Sequence, residues 1–340
     1  MHKERVIVVA PGRASYIRDS SNYLKNSSEK KFINLINDIN KKRAINKEIN
    51  ILDLDRSSFR TKLHMIGKNA GPLTYACSLS DYFCIDEDRY EIVAILGNSM
   101  GWYSALAMSG SISFIDGNDL IYNMSTLMDE NTIGGQIIYP IVDDNWYFDQ
   151  SAFNDLIKKI QTESVYISIL LGGYIVIGGN VDALKNLMLK LKPKGDYPFQ
   201  IPYHSAFHTP LLNEITYLAK DKNNIEIFDK PKIPIIDGIG KIWTNFSTNI
   251  SKLYDYTFGY QIVNPYDYTK AITVAIKEFA PDRIILLGPG NSLGAPTAQI
   301  LIKEYWLEMD SKESFQAIQD EKNYIISMSR RDQRLQVCKQ

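Results

Sequence analysis

The chain has 340 residues, 45% hydrophobic and 23% charged, with a formal net charge of -1. This is ordinary globular composition, enough for about two domains or one large α/β domain with an insertion. The balanced charge excludes a global basic field for nucleic acid or anionic membrane, and no apolar run approaches the ~20 residues of a membrane span. The start, Met1 to Val9, broken at Pro11, is too short for a secretory leader. Cys77, Cys84 and Cys338 have neither C-x-x-C nor metal-ligand spacing, so they point to a reducing cytoplasm rather than a disulfide framework.

In chain order, Val6 to Ala10 reads as a buried strand closed by Pro11-Gly12-Arg13. Helical spacing follows around Phe32, Leu35 and Ile36. Asp55 to Arg60 reads as a loop, and Ala70 to Phe83, rich in small residues, as a tightly packed helix. Ile92 to Leu96 is a second buried strand. It runs into Gly97-Asn98-Ser99-Met100-Gly101 and then into helical spacing at Tyr103, Leu106 and Ala107.

Near Asn131 the pattern changes. A strand (Gly134 to Pro140), a helix (Phe153 to Ile160), two strands joined by Gly172-Gly173 and a helix (Val181 to Leu191) give a β-α-β-β-α order. That order suits a small ferredoxin-like α+β subdomain. The expected organisation is a large α/β-hydrolase-like parallel-sheet domain over 1–130 and 198–310, with the subdomain inserted at 131–197. Helices at Tyr268 to Phe279 and from Thr297, with a strand at Arg283 to Leu287, complete the large unit. Residues 311–340 read as a polar tail.

Strand, G-x-S-x-G turn and helix form the setting of a nucleophile elbow, which exposes a serine oxygen beside a helix N-terminus. Ser99 fits, but Gly290-Asn291-Ser292-Leu293-Gly294 has the same pattern and competes on spacing. A serine nucleophile needs a base. Of the four histidines, His204 and His208 share one loop, and the residues alone leave both open. No metal cluster, phosphate loop or dinucleotide fingerprint stands out.

Four separated segments together resemble the malonyl-CoA:acyl carrier protein transacylase family, which includes the acyltransferase domains of polyketide synthases. They are Ala10-Pro11-Gly12-Arg13-Ala14-Ser15; Gly97 to Gly110; Ala206-Phe207-His208-Thr209-Pro210-Leu211; and Gln261-Ile262-Val263-Asn264-Pro265 together with Leu287 to Leu293. The resemblance implies Ser99 as nucleophile, His208 as base and the Gln261 carbonyl as its partner, with the N–H groups of Met100 and Arg13 as oxyanion hole. Ser292 then falls on a structural turn and His204 outside the motif.

The departures bear on substrate. The family arginine that holds a malonyl carboxylate is Met124 here, and a thioether cannot replace a bidentate guanidinium. Phe207 resembles members that take small unbranched units. Asn98 and Trp102 replace the family histidine and glutamate around the serine, and Arg13 replaces a glutamine, offering a positive charge from the other wall. The expected activity is transfer of a small uncharged acyl group between pantetheine thioesters of coenzyme A and an acyl carrier protein, with no bound cofactor, no metal, no nucleic acid and no membrane partner. A stand-alone acyl hydrolase that clears carrier proteins is the alternative. A catalytically silent docking module is a third reading.

Overall fold

Five consecutive apolar residues, Val6 to Ala10, carry no solvent exposure, and the larger of two sheets is assembled around them. In the computed structural model, which describes residues 2–339, the strands are β1 (Glu4–Ala10), β2 (Tyr90–Gly97), β3 (Gly135–Pro140), β4 (Tyr166–Leu171), β5 (Tyr174–Gly179), β6 (Phe199–Gln200), β7 (Ile235–Ile236), β8 (Ile242–Trp243), β9 (Tyr266–Asp267), β10 (Arg283–Leu286) and β11 (Ile325–Ser327). The larger sheet has the order β11-β10-β1-β2-β7-β8 and is parallel except for β8. Its inner strands are covered on both faces, which is why they read as continuous apolar runs. Among the described residues no helix is long and apolar enough to cross a membrane.

The smaller sheet has the order β6-β3-β5-β4-β9. The first four strands are mutually antiparallel, and β9 joins β4 in parallel. Alternation decides what each face meets. Ile137, Ile175 and Ile177 pack with Leu156, Ile160 and Leu184 of the subdomain's own helices, while Ile169 and Val176 face the larger core. The sheet runs past the expected exit at residue 197, because β6 pairs with β3, and β9 is supplied by the chain after Gln261.

Three expectations need correction. Asp55 to Arg60 begins inside a helix, Ile51–Arg56, whose Asp55 is buried where it accepts the N–H groups of Tyr23 and Leu24. Residues 311–339 are not a tail. They form a helix at Lys312–Lys322, the edge strand β11 and a helix at Arg331–Val337, and Ile326 and Val337 are buried; Gln340 lies outside the described residues. Sparse buried apolar residues among many charged ones hid this from a pattern reading. Finally, Cys84 and Cys338 form a disulfide across 254 residues of sequence, leaving Cys77 as a buried free thiol.

The last helix is also tied to the core by charge. Asp81 is fully buried; Arg334 Nη1 lies 2.7 Å from its Oδ1, and the Tyr23 hydroxyl and Gly288 N–H donate to Oδ2 at 2.7 Å each. Burial pushes the Asp81 carboxyl up to about 6, with Arg334 pulling the other way. The folded value lies above the ordinary value of about 3.9. Protonation therefore favours the fold, and that stability is complete below about pH 4 and lost as pH rises through about 6. Arg334→Ala removes the counter-charge and is expected to cost about 3 kcal/mol near pH 8 in denaturant unfolding, with a smaller cost below pH 6. A cost under about 0.5 kcal/mol near pH 8 would contradict this account of the C-terminal segment.

Candidate active site

β2 ends at Gly97, the helix Gly101–Met108 begins at Gly101, and the three residues between them turn the chain. Both glycines are required by close approach. A Cβ at Gly97 would lie 2.1 Å from the Gly101 carbonyl carbon, and one at Gly101 would lie 2.2 Å from the Ala10 carbonyl oxygen. At the apex Ser99 holds φ +54°, a left-handed conformation that costs a β-carbon residue on the order of 1 kcal/mol. The turn presents Ser99 Oγ to His208 Nε2 at 2.7 Å.

His208 also sits at positive φ, +56°, just before the short helical turn Pro210–Leu212. Its Nδ1 lies 2.6 Å from the Gln261 carbonyl oxygen. A carbonyl only accepts, so Nδ1 carries the hydrogen; in the neutral ring the Nε2 lone pair then faces the serine hydroxyl. Local sequence explains why that carbonyl is free. A helix residue would normally offer its carbonyl to the N–H four positions on, but here that position is Pro265, which has none. Proline also disfavours helical backbone at Asn264, which is extended (φ -119°, ψ 155°), so the helix stops at Val263. A single π-helical turn at Tyr256–Tyr260 leads into Gln261.

The Gln261 side chain is fixed as well. Its Nε2 donates to the Ser99 carbonyl at 3.3 Å, and its Oε1 accepts the Tyr103 hydroxyl at 3.2 Å. Tyr266, on β9, donates to the Gly97 carbonyl at 2.6 Å and lays its ring 5.6 Å from the His208 ring. Met100 directly precedes the helix Gly101–Met108, and Arg13 opens the short helical turn Arg13–Ser15. Both residues border the same cavity as Ser99. The arrangement can remove a proton from Ser99 as it attacks a carbonyl.

The cavity holds about 210 Å³. Ser99, His208, Gln261, Met100, Arg13, Asn98, Met124 and Phe207 all border it, so the structure brings together every singled-out residue except Trp102. That residue is a correction to the expected substrate contact. Trp102 is fully buried, donates from Nε1 to Thr257 Oγ1 at 3.1 Å and packs edge-on to Tyr256. Helical geometry sends it into the core on the face away from the serine. Ser292 borders the cavity too, but its hydroxyl meets Ser15 Oγ at 3.0 Å rather than a histidine.

The Arg13 guanidinium is already engaged. Its Nη2 donates to the Tyr203 carbonyl, Nη1 lies 3.9 Å from Asp129 Oδ1, and the group sits 5.1 Å over the Phe207 ring; only Nε is buried without a partner. Burial lowers its pKa to about 10, with Asp129 opposing, so the side chain remains a cation at neutral pH. His204 borders the cavity as a neutral ring. Burial, then Arg13 and His208, lower its pKa well below the ordinary value, and its Nδ1 meets Gln136 Oε1 at 2.7 Å. Gln136 in turn donates to Ser168 Oγ at 2.5 Å. The sequence reading missed this Gln136–Ser168–His204 network, Tyr103 and Tyr266. Gln136, Ser168 and Tyr266 stand in no motif, and Tyr103, although inside the Gly97 to Gly110 segment, shows its contact with Gln261 only in the fold.

Known proteins can be set beside this geometry. The polyketide biosynthesis acyltransferase homolog PksD of Bacillus subtilis (strain 168) is 25% identical over 208 residues, 61% of this chain and 60% of that one. A malonyl CoA-acyl carrier protein transacylase of Salmonella typhimurium (strain LT2) is 24% identical over 220 residues, 60% of this chain and 65% of that one. The chain thus spans less than two thirds of the length of each. No family model matches it. Among solved structures, the malonyl CoA-acyl carrier protein transacylase of Coxiella burnetii matches with a TM-score of 0.74 at 16% identity, over 98% of this chain and 96% of that one. The fold is shared, and these relatives are of the family that the four motifs resemble.

Burial lowers the His208 pKa to about 4, and the hydrogen bond to the Gln261 carbonyl only partly offsets it. The ring is therefore neutral, and able to take a proton, down to acid pH. Modification of Ser99 by a fluorophosphonate is expected to hold its rate to about pH 5 and to fall with a midpoint near pH 4. A midpoint near the ordinary histidine value of about 6.5 would contradict the buried, neutral ring.

Proposed function

We propose that this protein is an acyltransferase that carries an uncharged acyl group from one pantetheine thioester to another as an ester of Ser99. The observation that carries the reading is the serine–histidine contact of 2.7 Å, with the far side of the ring held by the Gln261 carbonyl. Ser99 Oγ attacks the thioester carbonyl as its proton passes to His208 Nε2. The N–H groups of Met100 and Arg13 hold the oxyanion. When the tetrahedral intermediate collapses, the C–S bond breaks and the proton goes on to the departing thiolate. The second half runs in reverse, with the thiol of coenzyme A or an acyl carrier protein attacking the Ser99 ester.

Similarity to transacylases and polyketide acyltransferases supports this reaction class and these two thiol partners. The strand order β6-β3-β5-β4 with its β-α-β-β-α-β succession supports reading the insertion as ferredoxin-like, and the parallel sheet with its elbow supports the α/β-hydrolase-like description of the larger unit. Selection against malonyl follows from Met124, which is buried in the cavity and has no charge to offer a carboxylate. Leaving a carboxylate unpaired there costs several kcal/mol, on the order of a thousandfold in selectivity.

The test is intact-protein mass spectrometry after brief mixing with acetyl-CoA or malonyl-CoA. An acetyl adduct that is lost in Ser99→Ala, kept in Ser292→Ala, and at least about a hundredfold faster to form than the malonyl adduct is expected. Adducts lost only in Ser292→Ala would contradict the nucleophile. Equal malonylation would mean that Arg13 releases Tyr203 and Asp129 to hold the carboxylate. Free acid formed as fast without an acceptor thiol as with one would replace transfer by hydrolysis.

A further inference from the structure

We infer that the acyl group is a chain of several carbons, seated in a slot between the helix Phe114–Glu130 and one face of the smaller sheet. The inference rests on the acyl-enzyme reading of Ser99. On the helix side, Ile121, Met124 and Met128 stand at i, i+3 and i+7, one face of the helix, and all three border the cavity. Opposite them, Ile138, Val176 and Ile169 form a row across β3, β5 and β4, since Val176 pairs with Ile138 on one side and with Ile169 on the other. These three also border the cavity, while their strand neighbours Ile137, Ile175 and Ile177 turn to the opposite core.

Both walls are mainly apolar, with Ser125 on the helix and Gln136 on β3 as the polar exceptions, and the remaining polar groups gather around Ser99, His204, His208 and Arg13. A water-sized group takes about 30 Å³, so a cavity of about 210 Å³ accommodates on the order of seven. An acetyl group fills a small part of that and leaves the far rows against water. In the acyl-enzyme the thiol has departed, so setting aside one or two groups for the ester carbonyl leaves space for roughly four to six chain carbons beyond it. Methionines at two of the three helix positions adapt to chains of differing shape. A terminal carboxylate would end among isoleucines and thioethers, where burying an unpaired charge is strongly disfavoured.

The test uses the full chain and straight-chain acyl-CoAs of two, four, six and eight carbons, following Ser99 acylation by rapid-quench intact mass. Each buried methylene strengthens transition-state binding about fourfold. The second-order rate is therefore expected to climb from two to six carbons by at least about fiftyfold in total, and to level or fall at eight. Val176→Trp, which sets an indole across the sheet side of the slot, is expected to move the optimum to two carbons. A rate highest for acetyl and falling with each added carbon would overturn the inference while leaving the acyl-enzyme intact, as would an unshifted optimum in Val176→Trp. No adduct on Ser99 with any thioester would overturn the acyl-enzyme reading and this inference with it.

Discussion

The site depends on one close contact: the backbone of Gly101 against the carbonyl of Ala10, so near that a β-carbon would come within 2.2 Å of the oxygen. Parallel pairing of β1 with β2 ends at Ala10 opposite Gly97, so the loops that leave the two strands emerge side by side. One loop carries Arg13 and the other carries Ser99 and Met100. Backbone from distant sequence thereby borders one cavity without any side chain having to reach. The left-handed backbone of Ser99 is the local cost, sustained by a core in which both strands are buried.

The partner of His208 explains the electrostatics. Serine–histidine systems commonly set a carboxylate behind the ring, which stabilises imidazolium and raises its pKa. Here a carbonyl dipole takes that place, freed by Pro265, and cannot balance the burial of a charge. The ring is left a weak base that is neutral at every physiological pH. The Gln261 side chain then returns to the Ser99 carbonyl, closing a ring of contacts that spans residues 99, 208 and 261. Tyr103 and Tyr266 brace that ring from two sides.

Much of this was legible in the sequence, and what was missed has physical causes. Strands buried on both faces and helices of regular period announce themselves, so β1, β2 and the helix Tyr268–Phe279 lie where the apolar pattern placed them. The elbow was legible because steric demand for glycine is local. The choice between His204 and His208 was not, since it turns on which ring meets Ser99 and which meets Gln136. Trp102 shows the same limit: one turn of helix past the serine, it points into the core. The paired rows lining the cavity depend on strand register, which no single strand encodes. The C-terminal segment joins the core through β11 and a few scattered buried side chains, and also through the Asp81–Arg334 ion pair and the Cys84–Cys338 bond, neither of which leaves a periodic trace.

The central claim is that His208, backed only by a carbonyl, activates Ser99. Its most direct test is the rate at which a fluorophosphonate modifies Ser99 at neutral pH in the wild type and in His208→Ala, with circular dichroism to establish folding. A loss of at least about a hundredfold in the folded variant is predicted, since general-base assistance is worth about 10²–10⁴. An undiminished rate in folded His208→Ala would contradict the account.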